Sequence, residues 1–235
     1  MTTLYLIRHG QAGTREDYDR LSDLGEMQAT ELGRYFAGRE LTFDMALAGE
    51  MRRQQRTAAS VLDALSGDVS IAIDRRWNEF SLADVYRRLA PRLIDDSAGF
   101  AADYEEMQCA LADDPHTTRG AAGRCDRAVI EAWMDNRYQE AGELTWESFR
   151  AGVESVFDDL IGRGGDASIA VFTSATPIAI WVGRALSLSN DRILRLMAVL
   201  LNSSVTTIRL REGEPLLLNF NMTPHLADPR MVTYR

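Results

Sequence analysis

The sequence predicts an α/β fold: a three-layer sandwich with a mainly parallel central sheet, helices on both faces, and a helical insertion or cap. Three observations predict it. The runs at 4–7 and 169–173 are apolar without alternation, as expected of strands covered on both sides. Strand-like runs alternate with stretches of helical period, which implies a mainly parallel sheet. A chain of 235 residues, 46% hydrophobic and 26% charged, suits one large domain carrying a sizeable insertion, and it can bury most of its apolar surface without covalent staples.

Taken in order, residues 4–7 form a strand stopped by Arg8. Ser22 is a candidate N-cap for a helix in which Leu24, Met27, Leu32, Tyr35 and Phe36 recur at helical spacing, with Gly38 near its end. Residues 43–47 read as a second strand. Residues 50–65 read as a second helix, with Met51, Thr57, Val61, Leu62 and Leu65 inward and Gly67 as its stop. A third strand follows at 69–73, and then the character changes. Residues 81–141 are rich in Ala, Asp, Glu and Arg with no clear strand, and read as a helical insertion over the active site within one domain spanning 1–235. Residues 146–161 form an amphipathic helix with Phe149, Val153, Val156, Phe157 and Leu160 on one face. After the fourth strand, Pro177 fits the first turn of another helix. Residues 203–210 and 216–220 read as strands joined by a turn at Glu212-Gly213-Glu214.

The net charge of -9 argues against nucleic acid, whose binding draws on many Lys and Arg. It leaves room for a small phosphorylated substrate, because a few converging arginines make a local positive pocket. Cys109 and Cys125 lack metal-ligand spacing, so reduced thiols are expected rather than a disulfide framework. The apolar N-terminal run is too short for a signal peptide and nothing approaches a membrane span. The expectation is a cytoplasmic protein without membrane contact, metal or cofactor. Its oligomeric state is left open.

Ligands of open α/β sheets bind beyond the carboxyl ends of the strands. Arg8, His9 and Gly10 follow the first strand. Arg52 and Arg53 follow the second, Arg75, Arg76, Asn78 and Glu79 the third, and Thr173, Ser174 and Thr176 the fourth. This inventory suits phosphoryl transfer. Guanidinium forks match the charged phosphoryl oxygens, a neutral imidazole nitrogen is a competent nucleophile, and a protonated carboxyl can serve the leaving oxygen. The competing readings are bland ones: a solvated charge pair at Arg8-His9, a surface acid at Glu79 paired with Arg75 or Arg76, and a helix N-cap at Ser174. Arg52 and Arg56, four apart, belong to a different helix face from Arg53. Arg15 and His116 read as surface residues, and Trp133 and Trp146 as core.

Leu6-Ile7-Arg8-His9-Gly10-Gln11-Ala12 resembles the RHG signature of the histidine phosphatase superfamily, also called phosphoglycerate-mutase-like. Leu21-Ser22-Asp23-Leu24-Gly25 with Gln28-Ala29 resembles the family's "LTxxG…QA" helix start. Met51-Arg52-Arg53 with Thr57-Ala58 resembles "SPLxRAxxTA", Trp77-Asn78-Glu79-Phe80 resembles "LNE", and Gly142-Glu143 before Trp146 resembles "GES…F". The matches run in family order across nearly the whole chain. The resemblance implies that His9 accepts the phosphoryl group, that Arg8 and Arg53 clamp it, and that Glu79 is the general acid and then the base that activates water.

The family's fourth strand usually ends in a second "HG". Here Ser174 and Ala175 stand in those places. A serine can donate a hydrogen bond but brings no charge, and losing one preorganised donor costs about 10²–10³ in rate. His225, flanked by Pro224 and Pro229, could fold back into the pocket. Phe80-Ser81-Leu82-Ala83-Asp84 replaces the Arg/Tyr/Gly-rich run of the mutases. The expected function is therefore a metal-independent phosphatase that hydrolyses a small phosphomonoester through a phosphohistidine on His9, with activity reduced by Ser174. A catalytically impaired phospho-ligand binding or regulatory module is the alternative, and a phosphoglycerate mutase ranks last. The roles of His9 and Glu79 predict a bell-shaped rate profile with an acidic-to-neutral optimum.

Overall fold

The apolar runs pair into one open six-stranded sheet with helices around it. A computed structural model of the chain describes residues 1–13, 17–65, 67–114, 117, 119–139, 145–162, 166–211 and 213–234, with the side chains of 161 and 162 left aside. Arg15, His116, Gly142, Glu143 and Glu212 lie outside the described residues.

The strands are β1 (Thr2–Arg8), β2 (Met45–Ala48), β3 (Ile71–Ile73), β4 (Ala167–Thr173), β5 (Val205–Arg211) and β6 (Glu214–Met222), in the order β3-β2-β4-β1-β5-β6. The first four of that order run parallel; β5 lies antiparallel to β1, and β6 to β5. β1 and β4 are thus interior neighbours pointing the same way. In register, Arg8 faces Thr173. His9 and Ser174 are the first residues after these two paired strand ends.

The chain forms two compact units, Met1–Glu79 with Gly152–Arg235, and Phe80–Ala151. In the first, α1 (Asp23–Ala37) and α2 (Arg52–Leu62) pack Ala29, Leu32, Phe36, Ala58 and Val61 against Ile7, Ala46, Ala48, Ala170 and Phe172 of the sheet. The second unit is helical, as the sequence implies. It comprises α3 (Leu82–Asp96), α4 (Ala98–Asp113), α5 (Gly120–Met134) and the start of α6 (Trp146–Gly162), with a ring cluster of Phe80, Trp133, Trp146 and Phe149. No described helix is long and apolar enough to cross a membrane.

Several boundaries differ from the sequence reading for physical reasons. Ser22 does cap α1, accepting from the Gly25 N–H at 3.0 Å. β2 begins at Met45 because Asp44 bonds Ser168 instead, while Phe43 turns its ring onto Tyr5 and Phe36. α2 ends at Leu62, before Gly67. After α7 (Ala175–Ala185) comes α8 (Asn190–Val199), which sequence reading passed over. It approaches α7 closely at Gly183, where an added Cβ would meet Ile193 Cδ1 at 2.7 Å.

Candidate active site

Five residues singled out from the sequence, Arg8, His9, Arg53, Glu79 and Ser174, all fall in the first unit at the carboxyl ends of β1 and β4 and the segments beside them. His9 is 2% exposed and Arg53 5%. His9 Nδ1 lies 2.7 Å from the Gly10 carbonyl oxygen, and Arg53 Nε donates to His9 Nε2 at 3.2 Å. A carbonyl can only accept, so Nδ1 carries the proton and the Nε2 lone pair accepts from Arg53. Burial, then the charges of Arg53 and Arg8, hold the His9 pKa well below its ordinary value, against a smaller opposing effect of the Gly10 hydrogen bond. The imidazole is neutral and in one tautomer.

The loop carrying His9 is fixed from several sides. The His9 N–H donates to the Thr173 carbonyl at 2.9 Å. The Ser203 N–H and Asn202 Nδ2 donate to the His9 carbonyl at 3.1 and 3.3 Å. The Gly10 N–H donates to Thr57 Oγ1 at 3.1 Å. Gly10 and Gly25 let this loop lie against the start of α1: a Cβ on Gly10 would meet the Gly25 carbonyl oxygen at 2.4 Å, and one on Gly25 the Gln11 carbonyl oxygen at 2.2 Å.

Arg8 is also buried. Its Nη1 donates to the carbonyls of Leu200 and, at 2.9 Å, Tyr234, while its Nε has no partner among the described residues. Burial lowers the Arg8 pKa, with Tyr18 and Glu79 raising it and Arg53 lowering it. Two guanidinium groups thus flank one imidazole in a chain of net charge -9, the focused positive site that an anion requires.

Glu79 Oε2 accepts from the Thr176 N–H at 3.1 Å, in the first turn of α7. Ser174 occupies the N-cap position of that helix, but its side chain makes no cap bond; Gln54 Nε2 donates to its Oγ at 2.8 Å instead. His225 is accounted for elsewhere: Nε2 bonds Ser203 Oγ at 2.8 Å and the ring packs near Tyr35.

Sequence reading missed Asp19, Tyr18 and Gln54. Asp19 Oδ1 accepts from Arg53 Nη1 at 3.0 Å, and its other oxygen accepts from the Arg52 N–H at 3.0 Å, so it caps α2 and holds Arg53 together. The Arg53 guanidinium lies 5.0 Å from the Tyr18 ring centroid. No short-range pattern marks these residues, since each acts across more than 20 positions. Arg52 and Arg56 do face away, as expected: with Arg20, Glu26, Ile71 and Ile73 they line an open groove of about 590 Å³ that excludes His9, Arg53 and Ser174. Among the described residues no group of His, Cys, Asp and Glu could hold a metal.

The sequence pattern of the histidine phosphatase superfamily (branch 1) matches residues 4–109 and 114–223. The comparison with curated proteins gives no match. Among solved structures, a phosphoserine phosphatase from Entamoeba histolytica in complex with phosphoserine is similar, with TM-score 0.60 and 17% identity over 96% of this chain and 100% of that one. So are the alpha-ribazole phosphatase from Shigella flexneri, with TM-score 0.60 and 18% identity over 94% and 96%, and a phosphoglycerate mutase from Bacillus anthracis, with TM-score 0.58 and 17% identity over 96% and 95%. At these identities the likeness is one of fold.

Proposed function

The chain belongs to the histidine phosphatase superfamily, and from that premise we propose that it is a metal-independent phosphatase that hydrolyses a small phosphomonoester through a phosphohistidine on His9. One observation carries the reading: a neutral, buried imidazole whose Nε2 is unprotonated and accepts from the buried Arg53, with the buried Arg8 next to it in the chain.

In the first step, Nε2 of His9 attacks phosphorus as the bond to the ester oxygen breaks. Glu79, protonated, gives its proton to that oxygen, which leaves as an alcohol. The ring becomes positively charged, and the Gly10 carbonyl on Nδ1–H stabilises that charge. In the second step water attacks phosphorus, Glu79 takes its proton, and the P–N bond breaks to regenerate neutral His9. Arg53 and Arg8 neutralise the phosphoryl oxygens in both steps, and the buried Arg8 Nε–H supplies a donor that has no partner among the described residues.

Ser174 favours a second reading, a phospho-ligand binding module, because its hydroxyl brings no charge where a cation would stabilise the transition state. Phosphate release from p-nitrophenyl phosphate in EDTA, by the native protein and His9→Ala, decides between them. Turnover that disappears in the variant supports the phosphatase. Folded native protein that binds phosphate without turnover supports the module.

A further inference from the structure

Gln54 follows Arg53 on α2, is fully buried, and contacts Ser174 directly. Its Nε2 lies 3.1 Å from the Trp77 carbonyl oxygen and 2.8 Å from Ser174 Oγ. A carbonyl can only accept, so the amide end facing Trp77 is the NH2 group. The same NH2 group therefore donates to Ser174, whose oxygen must accept. A serine hydroxyl has one proton, and this arrangement leaves that proton for another acceptor. Ser174 itself is 1% exposed and stands beside His9 at the end of the neighbouring strand.

We propose that Gln54 is a positioning residue that turns the Ser174 hydroxyl into a dedicated donor to the phosphoryl oxygens held at His9. The proposal rests on the reading of His9, Arg8 and Arg53 as the phosphate site. A purely packing role fits poorly. Gln54 Oε1 is buried with no partner among the described residues, an expense that a methionine of similar shape would avoid. The surroundings are fitted to the amide as well: a Cβ on Gly49 would meet Gln54 Oε1 at 2.1 Å.

The test is a double-mutant cycle read as the dissociation constant of inorganic phosphate, by calorimetry, for the native protein, Ser174→Ala, Gln54→Met and the double variant. Each single variant weakens phosphate binding about tenfold, the scale of one hydrogen bond to a charged group. The double variant is no weaker than either. Losses that multiply to about a hundredfold, or phosphate affinity untouched by Gln54→Met, overturn the proposal. Gln54→Ala replaces Gln54→Met if the latter does not fold. Because the readout is binding, it separates from the enzymatic reading. A native protein without turnover but with this cycle loses the phosphatase reading alone; turnover that depends on His9, with multiplicative losses, loses the donor pair alone.

Discussion

Arg53 Nε donates to His9 Nε2 at 3.2 Å, so a buried cation rests on the atom assigned as nucleophile. That contact and burial both disfavour protonated His9. The proton on the opposite nitrogen is held by Gly10. An NMR titration of the ring nitrogens is expected to show His9 in the Nδ1–H form, unprotonated at pH values where an ordinary histidine is half charged. Titration at the ordinary value would contradict the environment described. The acid limb of any rate profile then lies below the usual histidine range, and the falling limb follows deprotonation of the general acid.

Asp19 places a carboxylate on the same guanidinium that phosphate would use. Its side chain is 45% exposed, so the contact is partly screened. Asp19→Asn keeps an oxygen for the Arg52 N–H but removes the competing charge. We expect inorganic phosphate to bind a few-fold more tightly, with the gain shrinking as salt rises. Weaker binding in the variant would show instead that Asp19 serves to hold Arg53 in place.

Gly25 is required by closeness rather than by conformation, since a Cβ there would strike the Gln11 backbone. Gly25→Ala should lower stability by about 2 kcal/mol or more, because the obstruction is main chain and cannot rotate away. It should also reduce turnover by displacing the His9 loop. An unchanged melting temperature would refute this packing account.

His225 gives a pH-dependent stability. Burial pushes its pKa down to about 4 from an ordinary 6.5. The unfolded chain therefore binds a proton that the folded one refuses, and stability falls as pH drops from about 6.5 towards 4, by on the order of 2–3 kcal/mol. Denaturant melts of the native protein and His225→Gln across that window should show a flatter dependence in the variant. His9, shifted in the same direction, adds to the slope in both proteins, so the variant's dependence is flatter but not flat. Parallel curves for the two proteins would contradict the assignment.

Much of this was legible in the sequence because it depends on neighbours in the chain. The run ending at Arg8-His9-Gly10, the cap at Ser22 and the helical character of the insertion each follow from local pattern. Arg53 could be told from Arg52 and Arg56 by helix periodicity. The unreadable parts depend on distant contacts. The start of α2 is set by Asp19, from a different loop. Ser174 has the residue type and position of an N-cap, yet its oxygen is taken by Gln54, 120 positions away, and Glu79 serves the helix instead. His225 follows Pro224 in a loop-like stretch, but Ser203 and Tyr35 bury it.

The most direct test of the central claim is to trap the phosphorylated protein. Native protein mixed with p-nitrophenyl phosphate in EDTA would be quenched in alkali, where phosphohistidine survives, and mapped by peptide mass spectrometry. A phosphoryl group on His9, absent from His9→Ala, is the predicted result. Turnover that leaves His9 unlabelled and persists in His9→Ala would contradict it.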